Sequence, residues 1–273
     1  MGVLKSGLKR LAILATANRP AQAALAYGDR FAQFLMGIGA GSEVADSGEA
    51  AVFRLLRCRP APLTVFDVGA NQGQFLTAAL GALVRTDHRI HSFEPGRGTF
   101  ALLAARHGHT PRVALHNLAV GRSAGTATLW YDEEGSGIAS LTKRDLDHLG
   151  IPFGRSEPVA VTTIDEHCRR HGIDRIDLLK LDIEGHELDA LEGAREMFAG
   201  GAIGMVLFEF GGCNIDTRTY FRDFWHFFSG RGMRLQRVTP GGLLVPIDVY
   251  REALEQFPQD PLIATNLGVF LLE

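Results

Sequence analysis

Apolar residues along this chain fall into short runs bounded by glycine, proline and charge. Residues 64–68 carry Val65, Phe66 and Val68, a β-rich run that reads as a buried strand. Gly69 and Gly73 follow, and from Gln74 to about residue 84 the pattern becomes helical. The alternation continues with a strand over 89–94, a helix over 97–107 and a strand over 112–118. Such alternation predicts a parallel sheet with helices on both faces. Two more buried strands are expected, at 177–182 and 203–208. The remainder predicts an aromatic helix over 218–228, strands near 233–238, 243–246 and 269–272, and a helix over 249–256. Phe221, Phe224, Trp225, Phe227 and Phe228 read as core filling before they read as a substrate platform.

The rhythm breaks between residues 121 and 160. Gly121, Gly125, Gly135 and Gly137 interrupt a β-prone stretch around Thr126–Tyr131, the charged run Lys143-Arg144-Asp145 reads as mobile, and a second strand is expected over 158–163. Long connections on such sheets commonly act as lids, so 121–160 is expected to cover the ligand site. The domain proper is assigned to 61–273. Residues 1–60 read as a helical extension: Leu4, Leu8, Leu11 and Leu14 recur at helical spacing. Such a helix suits three partners: the domain itself, a second subunit in a homo-oligomer, or a membrane surface. Ala15-x-Ala17 faintly imitates a signal-cleavage site, but the apolar run before it is at the short limit for one. Asp46-x-x-Glu49 resembles a capping box opening a helix that carries Val52, Phe53, Leu55 and Leu56, with Pro60 and Pro62 beyond its end.

Composition narrows the function. With 273 residues, 46% hydrophobic and 22% charged, the chain is long enough for one full α/β domain and an extension. A net charge of −3 gives no basic footprint, which argues against a nucleic-acid partner and favours small molecules or glycans. The 3 cysteines are far apart and form no Cys-x-x-Cys pair, so neither a disulfide framework nor a thiolate metal site is expected, and a reducing cytoplasm is the natural setting.

The chemistry lies at the strand ends. A strand, a glycine turn and a helix start form the entrance to a nucleotide site. A dinucleotide fold carries Gly-x-Gly-x-x-Gly there, whereas this chain has Gly69-x-x-x-Gly73 preceded by Asp67. A fixed negative charge opposes pyrophosphate and suits a cation, and S-adenosylmethionine, with its sulfonium and ammonium groups, meets that demand; a plain turn capped by Asp67 is the alternative. Glu94 ends the next strand 25 positions after Gly69, near the ~20-residue spacing of a ribose-binding carboxylate. Its alternative is a helix N-terminal residue before Pro95. A third cluster, Lys180-Leu181-Asp182-Ile183-Glu184-Gly185-His186-Glu187, follows another strand. Lys180 and Asp182 share a face there, and a structural pair is the plainer reading. Glu209 closes the strand over 203–208.

In this order, Phe66-Asp67-Val68-Gly69-Ala70-Asn71-Gln72-Gly73, Phe93-Glu94-Pro95, Asn117-Leu118-Ala119-Val120, Thr163-Ile164-Asp165 and Leu179 to Glu187 resemble the FkbM family of S-adenosylmethionine-dependent methyltransferases, over roughly residues 63–240. The resemblance implies a class I methyltransferase fold: a Rossmann-like, mostly parallel sheet of seven strands, the last antiparallel. It also implies methyl transfer, usually to a hydroxyl of an acceptor such as a macrolide-type compound or a sugar. On this chain it implies that Asp67, Gly69, Asn71 and Gly73 hold the methionine part, Glu94 the ribose and Asn117 the adenine neighbourhood, with Lys180, Asp182 and Glu184 at the reaction end.

Removal of the hydroxyl proton needs a base near the methyl, for which Asp182, Glu184, His186 and Glu209 are candidates. A carboxylate pair is preferred: Asp182 orients cofactor or acceptor, Glu184 takes the proton, Lys180 fixes their geometry, and His186 is next in line. No metal site is assigned, although clustered acids holding a divalent cation stay open as an alternative. Rival functions are N-methylation, for which no Asn-Pro-Pro-Tyr motif exists, and a non-catalytic cofactor-binding or scaffolding subunit.

Overall fold

The protein is described by a computed structural model covering residues 2–39, 48, 50–257 and 268–272. In chain order the elements are α1 (Gly2–Thr16), α2 (Arg19–Leu35), α3 (Ala50–Leu56), β1 (Leu63–Val68), α4 (Gln74–Ala82), β2 (His88–Phe93), α5 (Arg97–His107), β3 (Val113–His116), β4 (Ala119–Val120), β5 (Gly125–Tyr131), β6 (Arg155–Thr162), α6 (Ile164–His171), β7 (Leu178–Leu181), α7 (Glu187–Glu192), α8 (Arg195–Ala199), β8 (Val206–Phe210), α9 (Cys213–Thr217), α10 (Phe221–Ser229), β9 (Leu235–Val238), β10 (Leu244–Pro246) and β11 (Gly268–Leu272).

The main sheet has eight strands in the order β10-β9-β11-β8-β7-β1-β2-β3. From β8 to β3 all neighbours are parallel, which is why helices cross between them. β11 lies antiparallel between β8 and β9, as expected of the last strand, and the short β10 adds an eighth strand beyond the expected seven. Strand order reverses at β1, with β2 on one side and β7 on the other, so their carboxyl ends open a crevice at the switch point.

Burial follows the two-residue period of the strands. Phe66, Val68, Phe93, Leu179 and Leu181 join a core beneath α6 and α10, while Leu63, Val65, Ile90 and Leu178 join a second core beneath α3 and α4. The aromatic residues of α10 are core, as their spacing predicts. Phe221, Phe224, Phe227 and Phe228 are buried, Trp225 packs against them, and the Phe224 ring stacks 4.8 Å from that of Phe208.

Residues 119–162 make a second, three-stranded sheet, β4-β6-β5, in which β5 and β6 form the expected hairpin. The expected helix over 249–256 is instead a single 3₁₀ turn, Glu252–Leu254. Glu255 is drawn away to the N-terminus of α10, where it accepts the N–H groups of Phe221 (2.8 Å) and Arg222 (3.0 Å); capping a neighbour outweighs local helix propensity. The Asp46–Glu49 capping box lies outside the described residues.

At the N-terminus, α1 carries Leu8, Leu11 and Leu14 on the surface, and α2 buries none of its residues. No helix among the described residues is long and apolar enough to cross a membrane. A segment that buries so little contributes little to folding. A chain lacking residues 1–35 is therefore expected to unfold within about 2 °C of the full chain by calorimetry; a fall of about 10 °C would show that these helices pack on the domain.

Candidate active site

The turn after β1 is built by steric necessity. Gly69 has φ +81°, and a Cβ there would stand 1.8 Å from the carbonyl oxygen of Asp182, so no side chain fits between the ends of β1 and β7. Its N–H and that of Ala70 both donate to the Phe93 carbonyl, at 3.0 and 2.9 Å. Asn71 is left-handed with φ 47°, and its N–H donates to Glu94 Oε2 at 3.0 Å. Gly96 N–H donates to the other oxygen of Glu94 at 2.9 Å. Burial pushes the Glu94 pKa up to about 7 against these two hydrogen bonds.

A cavity open in part to solvent lies at these strand ends. It brings together Gly69, Asn71, Glu94, Asp182, Glu184 and His186. Leu129, Ser136, Gly137, Ala139, Ser140 and Leu141 of the 121–160 segment close its other wall.

The remaining residues singled out by sequence stand behind this lining. Asp67 is fully buried beside Lys180, whose Nζ is 3.6 Å away; burial raises its pKa while Lys180 lowers it. Lys180 also reaches Asp182 at 3.0 Å, so one ammonium joins the buried carboxylate to the one in the cavity. Gly73 has φ +90°, and a Cβ there would strike His107 and Leu103 of α5; it serves helix packing. Asn117 donates its amide to the carbonyls of Glu94 and Pro95, both at 2.9 Å, and so braces the loop that carries Glu94. Glu209 is buried on β8 away from the lining.

The third cluster divides into two functions. Glu184, left-handed with φ 51°, accepts from Arg144 Nη1 at 2.8 Å, and Arg144 also donates Nε to Asp216 at 3.1 Å. Burial raises the Glu184 pKa against the opposing pull of Arg144. Arg144, on a stretch whose charge suggests mobility, is only 4% exposed. The Glu184 carbonyl accepts from Ser140 Oγ at 2.9 Å, which fixes the covering segment here twice.

His186 lies between Asp189 and Thr142: Nδ1 is 3.0 Å from Asp189 Oδ2 and Nε2 is 3.0 Å from Thr142 Oγ1. The contact from His186 holds the Asp189 carboxyl below its usual range, with Arg122 acting in the same direction. An ionised Asp189 accepts a hydrogen bond from Nδ1–H. Glu187 accepts the N–H groups of Ile183 and Gly185, at 3.0 and 3.2 Å, and shapes the loop; burial pushes its pKa up to about 7.

Sequence reading missed Arg144, Thr142, Ser140 and Asp189. Only Asp189 carried a local signal, the i, i+3 spacing from His186 on a helix start.

Residues 67–235 match the model of the methyltransferase FkbM domain. The 2-O-methyltransferase NoeI of Sinorhizobium fredii is 24% identical over 148 residues, which are 50% of this chain and 59% of that protein. Among solved structures, the methyltransferase FkbM of Methylobacillus flagellatus KT aligns with a TM-score of 0.44 and 19% identity over 77% of this chain and 43% of that one. An S-adenosylmethionine-dependent O-methyltransferase of Thermotoga maritima aligns with a TM-score of 0.36 and 12% identity over 82% and 64%.

The raised pKa of Glu94 fixes the sign of a pH effect. The folded chain holds this proton more tightly than the unfolded chain, so the contribution is full below about 4.5 and is lost as pH rises through about 7. Glu94→Gln is therefore expected to lose less stability than the parent between pH 5 and pH 8, by roughly 1–3 kcal/mol in urea unfolding without cofactor. Equal losses would remove Glu94 as the source.

Proposed function

The chain belongs to the FkbM methyltransferase family, and from that premise we propose that it transfers a methyl group from S-adenosylmethionine to a hydroxyl oxygen of a glycan or other small acceptor. The observation that carries this reading is one cavity in which Glu94, the Gly69–Asn71 turn and Asp182 face the His186–Asp189 pair. The Thr142 hydroxyl 3.0 Å from His186 Nε2 supports that nitrogen as the place where an acceptor hydroxyl would be received. The name of the Sinorhizobium relative, a 2-O-methyltransferase, supports a sugar hydroxyl as acceptor.

The residues fit the cofactor. Asn71 Oδ1 is buried without a hydrogen-bond partner at the edge of the cavity, an acceptor suited to the ammonium of the methionine part. Glu94 offers its carboxylate to the ribose hydroxyls, and Asp182, held by Lys180, supplies the negative charge that favours a sulfonium nearby. Asp67 acts through Lys180. When bound, S-adenosylmethionine supplies an electrophilic methyl group.

His186 Nε2 would take the acceptor's hydroxyl proton, and Asp189 would stabilise the resulting imidazolium. The Glu184 carboxylate is engaged by Arg144 and holds the cover in place. Enclosure by the 121–160 segment excludes water and fixes the in-line approach, where most of the acceleration arises. The exposed leucines of α1 suit contact with a lipid surface or a second copy, and the three free cysteines suit a reducing cytoplasm.

Calorimetry and transfer of labelled methyl into glycan and metabolite extracts test this. Loss of charged hydrogen bonds worth ~1.5–3 kcal/mol predicts that Glu94→Ala weakens cofactor binding roughly 10- to 150-fold; unchanged affinity of the folded variant overturns its role. His186→Ala is expected to lower kcat by about 10²–10⁴ with cofactor affinity retained. If Glu184→Gln does so and His186→Ala does not, the proton passes to Glu184.

A further inference from the structure

Away from the cavity, three histidines from three elements converge. His91 on β2 and His116 on β3 lie on the face covered by α6, from which His167 descends between them. His91 Nδ1 is 3.2 Å from His116 Nε2 and 3.3 Å from His167 Nε2, and one nitrogen from each ring lies within 4.8 Å of the others. The ring centroids are 5.4, 5.4 and 4.5 Å apart.

The two spacings from His91 Nδ1 are close to those of a coordination shell. Zinc–imidazole bonds of ~2.0–2.1 Å in a tetrahedron separate ligand nitrogens by about 3.3–3.4 Å. Hydrogen bonding alone serves the cluster poorly. Each neutral imidazole has one N–H and one lone pair, yet His91 Nδ1 faces two other ring nitrogens, and its Nε2, on a residue only 4% exposed, has no partner. With the proton on Nε2, His91 presents its lone pair to the shared centre, where a cation would accept one pair from each ring.

The surroundings agree. Phe66 and Phe93 pack on the cluster, with the Phe93 ring 4.8 Å from His116 and 4.7 Å from His167, so the centre has apolar walls. Three nitrogen donors select a borderline d-block ion over magnesium or calcium, which take oxygen. His171 is a neighbour of the cluster, with its ring 4.3 Å from that of His167.

We propose that His91, His116 and His167 form a binding site for one divalent transition-metal ion, zinc being the best match, which pins α6 to the β2–β3 edge of the sheet. The three histidines are not among the residues lining the methyl-transfer cavity; Phe93, whose ring lies beside His116 and His167, lines that cavity too.

The test uses the full chain without a histidine tag, stripped with a chelator and dialysed. Zn²⁺ is titrated by calorimetry and Co²⁺ by visible absorption. The expected result is one ion per chain, a tetrahedral-type Co²⁺ spectrum and a melting temperature raised by about 5 °C or more at saturation. His116→Ala and His167→Ala should each weaken Zn²⁺ binding at least about 100-fold, beyond the 10–100-fold cost of an outer-shell change, while the exposed His109→Ala should not. Absence of Zn²⁺ binding by the parent chain at about 100 μM overturns the proposal without reference to any variant's folding. So does equal binding by folded His116→Ala or His167→Ala.

Discussion

The site depends on how closely β1 and β7 approach at their carboxyl ends. Gly69 leaves the space that the Asp182 carbonyl occupies, and Lys180 spans from Asp67 to Asp182 across the same junction. Lys180 thus joins a carboxyl sealed in the sheet to one that lines the cavity. Taking these charges out of water is tolerable only because they share a partner. The same junction sets the position of the loop from Ile183 to His186, and thereby of everything that loop contacts.

From that loop the covering segment takes its hold. Ser140, Thr142 and Arg144 meet the Glu184 carbonyl, the His186 ring and the Glu184 carboxylate in turn. Arg122, at the start of the same segment, reaches Asp189 at 3.0 Å. The start and the middle of the cover thus bear on His186 and its partner, so a displaced cover also disturbs the imidazole. The arrangement links enclosure of the cavity to the orientation of the proposed base.

The strands were legible because they are buried on both faces, which leaves continuous apolar runs, and Gly69 and Glu94 were legible because they stand at strand ends. Asp67 and Lys180 were legible as charged residues in an apolar strand, but not their depth, which depends on the helix above them. Arg144 looked like a solvated residue in a charged run; its carboxylate partners are 40 and 72 positions away, beyond any local pattern. The histidine cluster was hidden for the same reason: His91 and His167 are separated by 76 positions, and each alone is an ordinary core histidine. Where local preference did mislead, at 249–256, a tertiary demand for a cap on α10 prevailed.

The margin of the sheet at β10 bears on how copies of this chain behave when crowded. β10 has three residues and ends in Pro246, whose ring nitrogen has no hydrogen to offer. A neighbouring molecule attempting to extend the sheet there would find a brief ladder with a missing donor. That edge therefore resists strand-to-strand propagation, a protection against fibrillar association that comes from an element with no part in the chemistry.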